Sequence, residues 1–185
     1  MASRGFFAAV ALASALLVAA MVSAQAVTAS LSGPAYLAVK SFTAGSQNGE
    51  TAKLSVTTNG GIPRQPDSFI KSNPVVGFAW ADLGAGKVFV TTIHPVLGRD
   101  SHQNPDSWHA HTATLAGGAT APHDFCVASI DTTPTAGISI QGNTMAVNVQ
   151  KSALPVAPEA FDAAVGFTIQ PDSACASGLA VQIST

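Results

Sequence analysis

Apolar and polar residues alternate one for one along much of this chain, and that period of two narrows its fold more than any other feature. Val165, Phe167 and Ile169 alternate with Gly166, Thr168 and Gln170, and Leu179, Val181 and Ile183 with Ala180, Gln182 and Ser184. Ile138 and Ile140 flank Ser139, while Met145, Val147 and Val149 flank Ala146 and Asn148. Successive side chains of a strand point to opposite faces, so such segments bury one face and wet the other. The same reading extends to 35–42, 52–58, 75–82, 87–94, 107–115 and 124–131. Turn residues recur at short intervals, and the stretches 83–86 and 141–143 have the composition of tight hairpin connections. A helical period is rare, and the one helix candidate is 158–163, with Pro158 at a permitted first-turn position. The expected fold is all-β: an antiparallel β-sandwich of Greek-key or immunoglobulin-like layout, with eight to ten short strands and at most one short helix. The segments 59–73 and 95–106 are too rich in proline and polar residues for strands and read as loops.

The two cysteines, Cys126 and Cys175, read as one disulfide, given an even count and an exported chain. Export is indicated by the N-terminus, where a lone Arg4 precedes an apolar run from Gly5 to Val22 that ends in small residues. Residues 1–24 are therefore expected to be a signal peptide and residues 25–185 a single domain that is secreted or extracytoplasmic, in a periplasm or at a cell surface. Cleavage after Ala26 and an uncleaved membrane anchor are the alternatives, and the anchor would be the only route to a membrane. Charged residues are 10% of the chain and the net charge is −2. With Lys and Arg scattered singly, phosphate neutralisation of the kind nucleic-acid binding requires has no basis here. A protein partner stays open.

All five histidines fall between His94 and His123. His109-Ala110-His111 would project two imidazoles from one face of a strand, with their roots about 6–7 Å apart. If 87–94 and 107–115 pair as a hairpin, His94 at the end of the first strand lies near the start of the second. Three imidazole nitrogens suffice for a transition-metal site that keeps a position for another ligand. The candidate ligands are thus His94, His109 and His111, with His102 from the intervening loop. His123, Asp100 and Asp106 are weaker candidates, and the chain between His111 and His123 is long enough to carry His123 away from the site. Imidazole ligation without thiolate favours copper or zinc as the cofactor.

The His109-Ala110-His111 triplet on a strand, beside a long loop, resembles the layout of copper-zinc superoxide dismutases, which are also β-proteins with a His-x-His pair and further ligands from a long loop. The resemblance covers the triplet and the general arrangement. A bridging-histidine loop, that family's aspartate ligand spacing and its functional arginine have no counterpart here.

Other chemistries lack their residues. There is no Gly-x-Ser-x-Gly elbow and no Gly-rich phosphate loop. The only glutamates are Glu50 and Glu159, so a glycosidase pair has no support. Trp80 sits in an apolar run and reads as core. No catalytic residue can be named, which leaves two classes. One is an exported protein with a His-rich copper or zinc site near the 87–94/107–115 hairpin. The other is a metal-free extracellular surface, adhesion or protein-interaction module.

Overall fold

The computed structural model describes residues 33–94 and 106–184. The expected signal segment, Asp100 and His102 lie outside them. Ten strands form: β1 (Val39–Ser46), β2 (Thr51–Thr58), β3 (Val75–Asp82), β4 (Lys87–Ile93), β5 (His109–Ala116), β6 (Phe125–Thr132), β7 (Ala136–Gln141), β8 (Thr144–Gln150), β9 (Ala163–Pro171) and β10 (Leu179–Ser184). Every pairing among them is antiparallel. The period-two reading therefore locates the strands within a few residues, apart from 35–42. There the chain makes a turn closed by Leu37 N–H on the Pro34 carbonyl before β1 begins.

The sandwich expectation is corrected in its closure. One sheet has the order β1-β2-β8-β7, but the other is a closed six-stranded barrel, β10-β6-β5-β4-β3-β9. Two features explain how a short sheet curls that far. The β5–β6 register slips twice, so residues 128 and 131 bulge out of the ladder, and bulges bend and twist a strand. Small residues on the inner face (Gly77, Ala79, Ala81 and Ala113) then relieve crowding at the axis.

The helix expectation also moves. The segment 158–163 forms only a 3-10 turn, Pro158–Ala160. The α-helix, α1 (Ser68–Ser72), lies in a segment read as loop. Asp67 caps it, accepting from Ile70 N–H at 2.8 Å, and the fully buried Ile70 anchors it in the core. A five-residue helix is too short for its periodicity to be read. Among the described residues no helix is long and apolar enough to cross a membrane.

The two sheets share a core. The inner face of the four-stranded sheet (Ala52, Leu54, Val56, Met145, Val147, Val149) packs on the outer face of the barrel (Val76, Phe78, Trp80, Phe89, Ile93, Ala110). Each fully buried large side chain there is worth roughly 1.5–3 kcal/mol of transfer free energy. Trp108 stacks on Phe78 with ring centroids 5.6 Å apart, and its indole N–H donates to the Pro63 carbonyl at 2.8 Å. Trp80 is core, as its surroundings in sequence imply.

With the outer faces of β3, β4 and β5 spent on this core, their alternate residues point into the barrel. Both faces of β4 and of the first half of β5 are consequently buried. That places His94, His109 and His111 inside the barrel, in register with Val88, Val90 and Ala113.

Closure is weakest between β6 and β10. Those strands pair at only two positions, Cys126 with Ala180 and Val181 with Phe125, whereas β10 and β9 pair at six. The disulfide Cys126–Cys175 sits at this seam, tying the turn before β10 to the paired end of β6, with 5.3 Å between Cα atoms. Buried Ala180 packs beside it.

Candidate metal centre

The β4–β5 ladder fixes the histidines. Thr92 pairs with His109 and Val90 with His111, so the two imidazoles of β5 hang into the barrel opposite the end of β4. His94, one residue beyond β4, turns its ring onto the same spot. Exposure is 5% for His94, 7% for His109 and 8% for His111. These are not wet-face residues.

The rings form a chain of edge-to-face contacts, with centroids 4.7 Å apart for His94–His109 and 4.9 Å for His109–His111. Each residue offers one ring nitrogen to a group in which no two such atoms are more than 4.8 Å apart. The Nε2 atoms of His94 and His109 are 3.0 Å apart. Two nitrogens bound to one ion at about 2.0–2.1 Å would be roughly 2.9 Å apart at a right angle and 3.4 Å apart at a tetrahedral angle. The His94–His109 pair already has ligand spacing, and a ring nitrogen of His111 lies within 4.8 Å of both.

The surroundings orient the rings. His109 Nδ1 lies 2.8 Å from the Ser107 carbonyl oxygen. A carbonyl only accepts, so Nδ1 carries the hydrogen and Nε2 of the neutral ring presents its lone pair to the centre. Thr92 Oγ1 lies 3.4 Å from that Nε2, and Thr133 Oγ1 lies 3.3 Å from His111 Nδ1. Sequence reasoning passed over Thr92 and Thr133. Thr92 was visible in principle, because Val88, Val90, Thr92 and His94 share one parity. Thr133 lies just past β6, and only the barrel's curvature brings it to His111.

The other histidines and acids named from sequence fall elsewhere or outside view. His102 and Asp100 lie outside the described residues. Asp106 is exposed, with a positive φ of 56°, and is not in the group. His123 is carried away, as the chain length after His111 implied. Its Nδ1 lies 3.0 Å from Asp172 Oδ2. Asp172 also accepts from Thr120 N–H at 2.7 Å and from Ala174 N–H at 2.9 Å. These backbone donors, with the His123 bond, hold its carboxyl down at about 2. Asp124 accepts from Ile183 N–H at 2.7 Å and so closes the far end of the seam. Neither cysteine can be a thiolate ligand, since the two are bonded to each other.

Two of the three, His94 and His111, also line a cavity of about 310 Å³ in the barrel interior. Twelve of the sixteen residues around it are hydrocarbon or aromatic, and the polar four are Thr92, His94, His111 and Thr133. Among the described residues no carboxylate, Lys or Arg lines it.

Comparisons with protein-family models, with curated proteins and with solved structures find no match to this chain. The likeness to superoxide dismutases thus rests on the His-x-His triplet and the β architecture alone.

Proposed function

We propose that this chain is an exported protein that binds one transition-metal ion, copper or zinc, through His94, His109 and His111 at one end of its barrel. The observation that carries the reading is the convergence of three buried imidazoles, each offering a ring nitrogen within 4.8 Å of the others. Burying three imidazoles side by side costs solvation that a fortuitous surface cluster would not bear. Contacts to Ser107, Thr133 and one another recover part of that cost, and a shared ion would recover more. Neutral nitrogen donors without thiolate or carboxylate favour Cu(II) or Zn(II) over calcium or magnesium. Three protein ligands leave a position for a water or another molecule, an arrangement suited to delivering a metal or to polarising a bound group.

The disulfide fits export, because such bonds persist in oxidising compartments. The metal-free adhesion or interaction module, the competing class, would work through polar, Thr-rich faces and gives no reason to gather three buried imidazoles, which favours the metal.

The test is metal analysis of the purified protein after exposure to Zn(II) and Cu(II), followed by calorimetric titration. One ion per chain is expected in wild type, with binding lost in the His94→Ala/His109→Ala/His111→Ala variant. Equal binding by that folded variant contradicts the proposal.

A further inference from the structure

We infer that the barrel cavity binds a small amphiphile, of the medium-chain carboxylate class, with its hydrocarbon body inside the barrel and its oxygen head at the histidines; the seating of the head rests on the metal reading above, the burial of the body does not. Four observations support this occupant.

The first is size. An apolar cavity of about 150 Å³ accepts benzene, with six non-hydrogen atoms, so 310 Å³ has room for roughly a dozen. That is the size of decanoate, and far less than a strand or helix of a partner protein needs.

The second is polarity. Val88, Val90, Val127, Phe167 and Val181 offer such a chain only hydrocarbon, while Thr92, His94, His111 and Thr133 gather where β4 ends and β5 begins. An anionic oxygen meets hydroxyl and imidazole donors there, or a bound cation, and among the described lining residues no carboxylate repels it.

The third is access. Ile130 and Leu179 line the cavity, yet they are 63% and 38% exposed, two of the three large hydrophobics on the described surface. They flank the short β6–β10 seam, beyond whose two paired positions β6 runs on without β10 beside it. An apolar rim at a gap in a barrel is a portal for an apolar guest.

The fourth is that the space is written into the sequence. Ala79 and Ala113 line the cavity from inward positions of β3 and β5, where larger residues would fill a six-stranded barrel.

The test is calorimetry of the full chain with decanoate, with and without Zn(II), with Zn(II) binding to wild type measured separately. Saturable one-to-one binding is expected, at least tenfold weaker in Ala113→Leu, which adds bulk to the cavity wall, and tighter when Zn(II) is present. Nuclear Overhauser contacts from decanoate methylenes to the methyls of Val90, Val127 and Val181 in wild type give the same answer should Ala113→Leu not fold. Decanoate binding that shows these contacts but ignores Zn(II) supports the occupant and removes the metal from its recognition. Zn(II) binding without decanoate binding overturns the occupant and leaves the metal site standing. Non-saturable, surfactant-like association, or full affinity in folded Ala113→Leu, overturns it as well.

Discussion

His94 and His109 meet Nε2 to Nε2 at 3.0 Å inside the barrel. Since His109 Nδ1–H is committed to the Ser107 carbonyl, its Nε2 is the acceptor, and the hydrogen between the rings belongs to His94. That hydrogen occupies the place where an ion shared by the two nitrogens would sit. Metal entry then requires that His94 shift that hydrogen to its other ring nitrogen and that the three ring nitrogens draw together from the 4.8 Å that now bounds them. The β4–β5 ladder holds the rest of the geometry in place.

Thr133 tests how closely His111 is held. Its hydroxyl, 3.3 Å from His111 Nδ1, is one of the contacts that orient this ring, and Thr133 itself is on the surface. Loss of a polar partner behind a ligating histidine typically costs 10–100-fold in metal affinity. Thr133→Val should lower Zn(II) affinity about tenfold in calorimetric titration and leave the melting temperature nearly unchanged. Unaltered affinity would show that the hydroxyl plays no part in holding the ring.

Alternation placed β8, β9 and β10 correctly, but only β8 buries one face and wets the other, since Thr168, Gln182 and Ser184 on the polar parity of β9 and β10 are buried as well. What local pattern cannot reveal is which surface each face meets. β4 and β5 are covered on both sides, by the four-stranded sheet and by the barrel interior, so His109 and His111 read as outward-facing although they are among the buried polar residues. Barrel closure was hidden for a similar reason: it depends on two bulges in β6 and a two-position seam with β10, which leave no period in the sequence. Trp108, on the opposite parity of the strand, packs in the core between the sheets, but a core residue on one face says nothing of whether the other face is wet or lines a barrel.

The disulfide should matter most at the seam. It ties the turn before β10 to β6, and these two strands share only two ladder positions. A cross-link spanning 49 residues restricts the unfolded chain by about 4 kcal/mol from loop entropy, with measured values commonly about 2–4. Cys126→Ala/Cys175→Ala should lose about that much in urea unfolding. It should also lose hydrogen-exchange protection first in β10. A loss spread evenly over both sheets would argue that the bond does not serve closure.

Acid should release the Asp172 contact. Its carboxyl sits at about 2, below its ordinary 3.8, chiefly through the Thr120 and Ala174 N–H donors and His123. A depressed carboxylate adds stability that is complete above about pH 4 and disappears as pH falls through about 2, because the unfolded chain takes up the proton first. The melting-temperature gap between wild type and Asp172→Ala should therefore be constant from pH 7 to pH 5 and narrow between pH 4 and pH 2. A gap that stays constant down to pH 2 would rule this contribution out.

The most direct test of the metal centre is X-ray absorption spectroscopy on the Zn(II)-loaded protein. Three imidazole nitrogens at about 2.0–2.1 Å are expected, falling to two in His109→Ala. A spectrum dominated by oxygen ligands, or one that His109→Ala leaves unchanged, would contradict the assignment of His94, His109 and His111 as the ligands.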